Sequence, residues 1–206
     1  MQKIKYVIGI DEVGRGPLAG PVLVTAALIP SKFVKKIPNK KIPLRDSKKL
    51  SKAHREEWFK FLTKHLSVRF AYAYISPQRI DEINIREASN LAASRACEKL
   101  LKRFPLTSKE TPIFLDGGLY LDYAPKLSKF SQKTVTRGDQ KIPAVQCAAI
   151  IGKVIRDRKM VKLHEQYPQY GFDAHKGYGT QKHCQAIRTH GLSKVHRRTF
   201  CRKFLI

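Results

Sequence analysis

The chain has 206 residues, of which 42% are hydrophobic, and its 41 lysine and arginine residues against 16 acidic residues give a formal net charge of +25. This length suits one domain with a packed core, and the longest apolar stretch, 17–30, is too short to cross a bilayer. The composition therefore excludes a membrane-spanning protein, and its positive charge predicts a polyanionic partner, most simply a nucleic acid.

The four cysteines lie far apart, without a C-x-x-C pair, at Cys97, Cys147, Cys184 and Cys201. This spacing disfavours a disulfide framework or a zinc site and indicates buried free thiols in a reducing compartment. The apolar run behind the charged N-terminus ends at Asp11, too early for the apolar region of a signal peptide. We therefore expect a soluble cytoplasmic protein.

The first third of the chain predicts strands around a glycine-rich turn. A buried strand at 4–11 and a second at 19–29 flank the turn Gly14-Arg15-Gly16-Pro17, which favours a hairpin. Ser51 is a suitable N-cap for a helix with an apolar face. The alternating stretch 68–75, rich in β-branched and aromatic residues, predicts a third strand.

The remainder predicts helices and two short strands. Ser76 and Pro77 are typical of a helix start, and a short helix there precedes a longer one at about 86–103. The later predicted elements are strands at 113–115 and 131–136, a long helix at about 143–165, and a last helix from near Thr180 to just before Gly191. This order predicts an α/β fold with a largely helical C-terminal third.

Four carboxylates stand at or just beyond predicted strand ends: Asp11, Glu12, Asp116 and Asp139. Ligand sites in open α/β sheets gather at such ends. Converging carboxylates bind hard cations such as Mg²⁺ or Mn²⁺, and two ions about 3.5–4 Å apart would support phosphodiester cleavage. The alternative is that these acids cap helices or close turns, and it has most weight for Asp139.

Two further polar residues are interpreted as structural. Asp157 is the rival fourth metal ligand, but it lies within the predicted long helix, roughly 20 Å from its start at about 1.5 Å per residue. We expect it to pair with Arg156, Arg158 or another base. His175 is interpreted as a hydrogen-bonded structural histidine, the alternatives being a general acid or a neighbour of the metal.

The motifs together resemble bacterial ribonuclease HII. They run in family order over nearly the whole chain: DEVGRGPLAGPV at 11–22, DSKKLS at 46–51, IDEIN at 80–84, LDG at 115–117, RGD at 137–139, AAIIGKVIRDR at 148–158, YPQYGFDAHKGYGT at 167–180 and HRRTF at 196–200. Any one block is a weak signal, whereas the first block followed by HKGY is specific. The turn sequence GRG favours type HII over the related type HIII.

The resemblance implies an RNase H-like fold, a mixed five-stranded sheet flanked by helices, in a single domain over residues 1–206. The core would run to about 165, followed by a C-terminal substrate-binding helical segment from about 166. The implied enzyme is a monomer that hydrolyses the RNA strand of RNA–DNA hybrids. It also cuts on the 5′ side of single ribonucleotides embedded in a DNA duplex, leaving 3′-hydroxyl and 5′-phosphate ends.

The resemblance also implies residue roles. The metal ligands for Mg²⁺ or Mn²⁺ would be the four carboxylates named above; the substrate contacts would be Gly14, Arg15 and Gly16 at the ribose, Tyr178 stacked on the adjoining sugar, and Lys48 at a phosphate. Glycines let main-chain groups approach the 2′-hydroxyl, the mark of a ribonucleotide, whatever the base. The alternatives are simple turn chemistry for the glycines and a packed loop anchor for Tyr178.

The lysines of 31–43 and the basic tail 194–203 are expected to neutralise duplex phosphates. The chain departs from the family's common SIIAKV sequence at Ala149 and Gly152, and a glycine within a helix costs roughly 1 kcal/mol relative to alanine. Two other functions remain open at this point. A junction resolvase of the same fold would not need to read a 2′-hydroxyl, and a non-catalytic basic nucleic-acid-binding protein would not need acids at strand ends.

Overall fold

The computed structural model of the protein describes residues 5–38 and 40–204, and its centre is a single sheet. The strands are β1 (Tyr6–Val13), β2 (Val22–Pro30), β3 (Arg69–Ile75), β4 (Ile113–Asp116) and β5 (Gln132–Val135). Their order is β3-β2-β1-β4-β5, with antiparallel pairing of β1 to β2 and β2 to β3, and parallel pairing of β1 to β4 and β4 to β5. The predicted mixed five-stranded sheet is confirmed.

Six α-helices in the described ranges accompany the sheet: α1 (Lys52–Lys64), α2 (Pro77–Arg103), α3 (Gly138–Lys141), α4 (Pro143–Gln166), α5 (Phe172–His175) and α6 (Gln181–His190). The predicted caps form, because the Ser51 hydroxyl accepts a hydrogen bond from the His54 N–H at 3.2 Å and Ser76 accepts one from Arg79 at 3.3 Å. Local sequence signals therefore determine where α1 and α2 begin.

Asn84 interrupts α2 with a left-handed backbone (φ +65°), so the helix is kinked there. The Asn84 side-chain oxygen accepts hydrogen bonds from the N–H groups of Arg86 at 2.9 Å and Glu87 at 3.1 Å, which makes it the cap of the second part. The short and the longer predicted helices are thus the two halves of α2.

Apolar side chains cover both faces of the sheet. On one face, Ile8 and Ile10 pack with Ala88 and Ala92 of α2, and on the other face α1 and α4 form a second buried cluster that includes Trp58. A third cluster joins the C-terminal residues to α4 and the β1–β2 loop, through Ala19, Met160, Tyr170, Phe172, Ile187 and Cys201. This third cluster holds the C-terminal helices beside the loop that follows β1.

The first two strands are shifted from their predicted bounds. β1 continues to Val13, which pairs with Leu23, so Asp11 and Glu12 lie inside the strand and not at its end. β2 begins only at Val22, because Gly20 has a left-handed backbone (φ +85°) and Pro21 cannot donate to a ladder. The start of the predicted first strand lies outside the described residues.

No helix among the described residues combines the length and apolar character needed to cross a membrane. Cys97, Cys147 and Cys201 are buried and all four cysteines are free thiols, as predicted.

Gly152 allows α4 to lie close against β2. A Cβ added there would be 2.9 Å from the Thr25 hydroxyl oxygen and 3.2 Å from the Leu23 side chain, so alanine would be crowded. The Thr25 hydroxyl is itself buried without a hydrogen-bond partner among the described residues. The unusual helix glycine therefore has a packing reason, namely the threonine opposite it on the sheet.

We predict that Gly152→Ala fails to stabilise the protein, because overpacking costs about 1–3 kcal/mol against a helix-propensity gain of about 1 kcal/mol. In a Thr25→Ala background, where the closest contact is gone, the same substitution should stabilise by about 1 kcal/mol. Urea unfolding of the four proteins measures both values. Equal effects of Gly152→Ala in the two backgrounds would contradict the packing explanation.

Candidate active site

Three carboxylates meet where β1 and β4 run side by side. Parallel pairing sets Ile10 beside Leu115, so the next residues, Asp11 and Asp116, lie at the same edge of the sheet. Asp11, Glu12 and Asp116 each place a carboxylate oxygen within 4.8 Å of the other two. One Glu12 oxygen accepts from Arg15 at 3.1 Å, whereas the other is buried without a partner among the described residues. Such an oxygen is available to a cation.

Asp139 approaches this group from the short helix α3, which follows β5. The main-chain N–H of Gly138 donates to an Asp116 oxygen at 2.7 Å, and the N–H of Asp139 is 3.4 Å from the same oxygen. Asp139 is buried, and its carboxylate lies 3.6 Å from the Lys48 ammonium. The start of α3 therefore both orients Asp116 and brings in a fourth acid.

Burial and repulsion by neighbouring carboxylates disfavour the charged forms of Asp11, Glu12 and Asp139. Burial, followed by the charges of Glu12, Asp116 and Asp139, raises the pKa of Asp11 well above its usual value. Burial also raises the pKa of Glu12, although Arg15 opposes this, and that of Asp139, with a further contribution from Asp116. A divalent cation would relieve this repulsion, and its oxygen preference matches the donor set.

Lys48 is presented by a short 3₁₀ turn, Ser47–Lys49. The buried Asp46 starts that turn by accepting the Lys48 N–H at 2.8 Å. Partial burial acts to lower the Lys48 pKa, but the neighbouring carboxylates, chiefly Asp139, outweigh it and raise the pKa above its ordinary value. The side chain is 82% exposed, so its charge is accessible at the rim of the acidic group.

The turn formed by Gly14, Arg15 and Gly16, here called the GRG turn, follows β1 directly. Gly14 has φ +88°, and an added Cβ would lie 2.1 Å from the Arg156 guanidinium, so the turn requires glycine there. A Cβ on Gly16 would lie within van der Waals distance of the Tyr178 ring, at 3.9 Å, so the turn and the tyrosine are neighbours; the space between them is here called the gap. Tyr178 is 43% exposed and is therefore not a buried loop anchor.

Asp157 does not join the acids. It accepts a hydrogen bond from Lys153 at 2.8 Å, one turn away on α4, while Arg158 pairs with Glu56 at 2.7 Å. Asp157 therefore has the expected ion pair, with Lys153 as its base.

His175 is hydrogen-bonded within its own loop, as predicted. Its Nδ1 accepts the Gly177 N–H at 3.2 Å, which leaves Nε2 to donate to the Tyr170 carbonyl at 2.7 Å. Both ring nitrogens are thus engaged, and the ring stacks on His183 with centroids 4.4 Å apart.

The prediction that the whole basic tail contacts phosphates is wrong for Arg197. This residue is fully buried and donates hydrogen bonds to the carbonyls of Gly14 at 2.6 Å and Arg15 at 2.7 Å. Arg156, also fully buried, donates to the Pro21 carbonyl at 3.1 Å. Sequence reasoning missed both roles, because nothing local in a basic sequence distinguishes a buried arginine from an exposed one.

The fold and the site define a class of protein. A mixed five-stranded sheet that carries acids on adjoining parallel strands is the arrangement of RNase H-like, metal-dependent nucleases.

Comparison with known proteins agrees with this class. The family model described as "Ribonuclease HII" matches residues 8–203. The chain is 40% identical to a ribonuclease HII from Bacillus cytotoxicus, over 97% of this chain and 70% of that one, and 41% identical to one from Bacillus mycoides, over 96% and 69%. The crystal structure of ribonuclease H2 from Pyrococcus horikoshii superposes with a TM-score of 0.74 at 27% identity, covering 97% of this chain and 96% of the other.

The chain belongs to the ribonuclease HII family. It is accordingly a metal-dependent endoribonuclease of the ribonuclease H type. The predicted fold, family and enzyme class are confirmed, and the two alternatives, a junction resolvase and a non-catalytic binding protein, are wrong.

The buried pair His183 and His196, next to the main chain of Tyr178, is expected to make the stability of the protein depend on pH. Burial lowers the pKa of His183 and of His196 from 6.5 to about 4, and the second ring adds repulsion at His196. Because the folded state favours the neutral rings, their stabilising contribution is complete above pH 6.5 and is lost as the pH falls toward 4. We expect the melting temperature to fall between about pH 7 and pH 5.

His196→Gln should weaken this pH dependence, since glutamine does not titrate, whereas His54→Gln on the exposed surface of α1 should leave it unchanged. Thermal unfolding of the three proteins at several pH values measures the slopes. The same slope in His196→Gln as in the parent protein would show that other groups cause the acid sensitivity.

Proposed function

We propose that the enzyme hydrolyses the RNA strand of RNA–DNA hybrids and cuts 5′ to single ribonucleotides embedded in a DNA duplex. The products would carry 3′-hydroxyl and 5′-phosphate ends. The observation that carries the proposal is the position of the GRG turn directly after two of the acids, with the exposed Tyr178 next to the turn. A site that only cleaves phosphodiesters has no need of such a turn and ring beside its acids.

The residues fit a pair of Mg²⁺ or Mn²⁺ ions, with Asp11, Glu12, Asp116 and Asp139 as ligands. All the donors are carboxylate oxygens, and the partnerless Glu12 oxygen is a ready ligand. When bound, such ions supply charge stabilisation and water activation at the scissile phosphate. The protein's own contribution is to hold the ligands still, through Arg15 at Glu12 and the α3 N–H groups at Asp116.

The GRG turn supports sugar recognition by main-chain donors. The N–H groups of Arg15 and Gly16 have no acceptor within the described part of the chain, whereas the carbonyls of Gly14 and Arg15 accept from Arg197. A 2′-hydroxyl can accept a hydrogen bond from such a donor, and a deoxyribose cannot. Tyr178, across the gap, offers a ring face to the adjoining sugar.

Phosphate contacts would position the duplex. Lys48 places an accessible ammonium at the rim of the acidic group, and the surplus of 25 positive charges gives a sequence-independent attraction to the backbone. Arg15 faces Glu12, so its principal task in the free enzyme is to orient that carboxylate. We further propose that the enzyme acts as a monomer in the cytoplasm, since every proposed site residue comes from one chain and its cysteines are free thiols.

Asp11→Asn should abolish most cleavage of a DNA duplex bearing one ribonucleotide, because a lost metal contact worth several kcal/mol lowers kcat by about 10²-fold or more. Binding of the duplex, measured in Ca²⁺ by fluorescence anisotropy, should persist. Stability in EDTA should not fall, because the raised pKa of Asp11 means that its charge opposes folding.

Asp157→Asn is the matched control, an acid-to-amide change outside the group, and it should keep cleavage. Loss of both cleavage and duplex binding in Asp11→Asn would indicate a folding defect. Full cleavage by Asp11→Asn would overturn the assignment of the ligands. An intact duplex with the parent enzyme in Mg²⁺ and in Mn²⁺ would overturn the proposed substrate.

Gly16→Ala tests sugar recognition by the GRG turn separately from metal binding by the acids. The added methyl group meets nothing closer than 3.9 Å, so the fold should tolerate it, yet the methyl would occupy the gap facing Tyr178. We expect an unchanged melting temperature and unchanged Mn²⁺ affinity, with kcat/KM on the single-ribonucleotide duplex reduced by about tenfold or more. Unchanged kcat/KM would remove the GRG turn from substrate recognition.

A further inference from the structure

Three segments distant in sequence are joined by main-chain hydrogen bonds beside the gap. The Arg197 N–H donates to the Leu18 carbonyl at 2.8 Å, and the Gly20 N–H donates to the Val195 carbonyl at 2.8 Å. The Leu18 N–H donates to the Gly177 carbonyl, also at 2.8 Å. The tail and the Tyr178 loop are therefore both anchored on the loop that continues the GRG turn.

Arg197 fixes the direction in which the GRG turn faces. Besides Gly14 and Arg15, its guanidinium donates to the Gly20 carbonyl at 2.9 and 3.0 Å, so one side chain gathers three carbonyls. No carboxylate pairs with it in the described part of the protein, and burial, together with the charge of Arg156, lowers its pKa to about 9. Because the carbonyls of the GRG turn point inward to the Arg197 guanidinium, its N–H groups can point outward.

His196 fixes the other side of the gap through a relay of two rings. Its Nδ1 accepts the Ser193 N–H at 3.0 Å, so its Nε2 carries the proton and donates to His183 Nε2 at 3.1 Å. The His183 Nδ1 then donates to the Tyr178 carbonyl at 2.9 Å. Each hydrogen bond sets the tautomer of the next ring, and both rings are buried.

We infer that His196 and Arg197 are positioning residues that together set the width of the sugar-reading gap. One holds the main chain of Tyr178 and the other holds the GRG turn. Because they are consecutive residues, with Cα atoms about 3.8 Å apart, the covalent chain limits how far the two walls can separate. The inference rests on the proposed function, in which the GRG turn meets the ribose and Tyr178 meets the adjoining sugar, so that the spacing of the two matters.

Arg197→Lys tests the inference, since lysine keeps the charge but cannot reach three carbonyls. We expect kcat on the single-ribonucleotide duplex to fall by about tenfold to 100-fold with little change in KM, because a displaced sugar misaligns the scissile phosphate while the other phosphate contacts remain. Arg202→Met, an exposed arginine in the same tail, is the charge control. It should alter only KM and its salt dependence.

Double-mutant cycles with Tyr178→Ala distinguish a positioning role from a general loss of protein stability. If Arg197 and His196 act by positioning the turn and Tyr178, then Arg197→Lys and His196→Gln should each lower kcat much less in a Tyr178→Ala background than in the parent enzyme. Additive losses in these cycles, or a rise in KM like that of Arg202→Met, would overturn the inference. His196→Gln, whose amide can donate and accept, supplies the test if Arg197→Lys fails to fold.

Amide hydrogen exchange of the free enzyme gives a readout that needs no cleavage. Exchange should quicken at the hydrogen-bonded amides of 18–20 and 176–178 in Arg197→Lys, with Mn²⁺ affinity unchanged, and should not quicken in Arg202→Met. Unchanged protection in Arg197→Lys would overturn the inference. If the parent enzyme leaves the duplex intact while exchange quickens as expected, the proposed substrate fails and the positioning role stands.

Discussion

The loop between β1 and β2 has no partner strand, so its carbonyl groups must find hydrogen-bond donors elsewhere. Two buried guanidinium groups supply them. Arg156 on α4 donates to the carbonyls of Pro21 and Lys176, both at 3.1 Å, and Arg197 gathers those of Gly14, Arg15 and Gly20. The long helix and the C-terminal tail are thereby attached to the loop that begins the site. Removing either arginine would leave several buried carbonyls without a hydrogen-bond donor, which is destabilising in a protein interior.

Burial shifts the pKa values of the acids and of the buried arginines in opposite directions. Burial raises the pKa of Asp11 and so disfavours its charged form, whereas burial lowers the pKa of Arg156 and of Arg197, the two arginines behind the loop. Among the described acids, only Glu12 has an ion pair with the loop itself, through Arg15. Arg156 and Arg197 donate to main-chain carbonyls and form no ion pair with these acids among the described residues.

Sequence could predict what depends on neighbours along the chain. The caps at Ser51 and Ser76, the long helix α4, and the acids of β1 and β4 all follow from periodicity and local signals. Contacts between distant segments could not be predicted in this way. The pairing of Val13 with Leu23 moves Asp11 into a strand, and a short helix carries Asp139. Arg197 turns inward although Lys194 and Arg198 in the same tail are exposed. Each of these features depends on hydrogen bonds between segments that are distant in sequence and that meet only in the folded chain.

The two tasks on the β1–β2 connection therefore rest on different kinds of support. Asp11 and Glu12 are held by the sheet, whose register fixes them against Thr25 and Val24. The GRG turn lies beyond that ladder, and its geometry depends on Arg197, which is 183 residues from Gly14 in sequence, and on Arg156, which lies against Gly14. In the proposed function, Asp11 and Glu12 bind metal and the GRG turn meets the sugar, so a change in the contacts of Arg197 would alter the turn without moving the two acids. Under that proposal, sugar recognition depends on the C-terminal tail as well as on the turn itself.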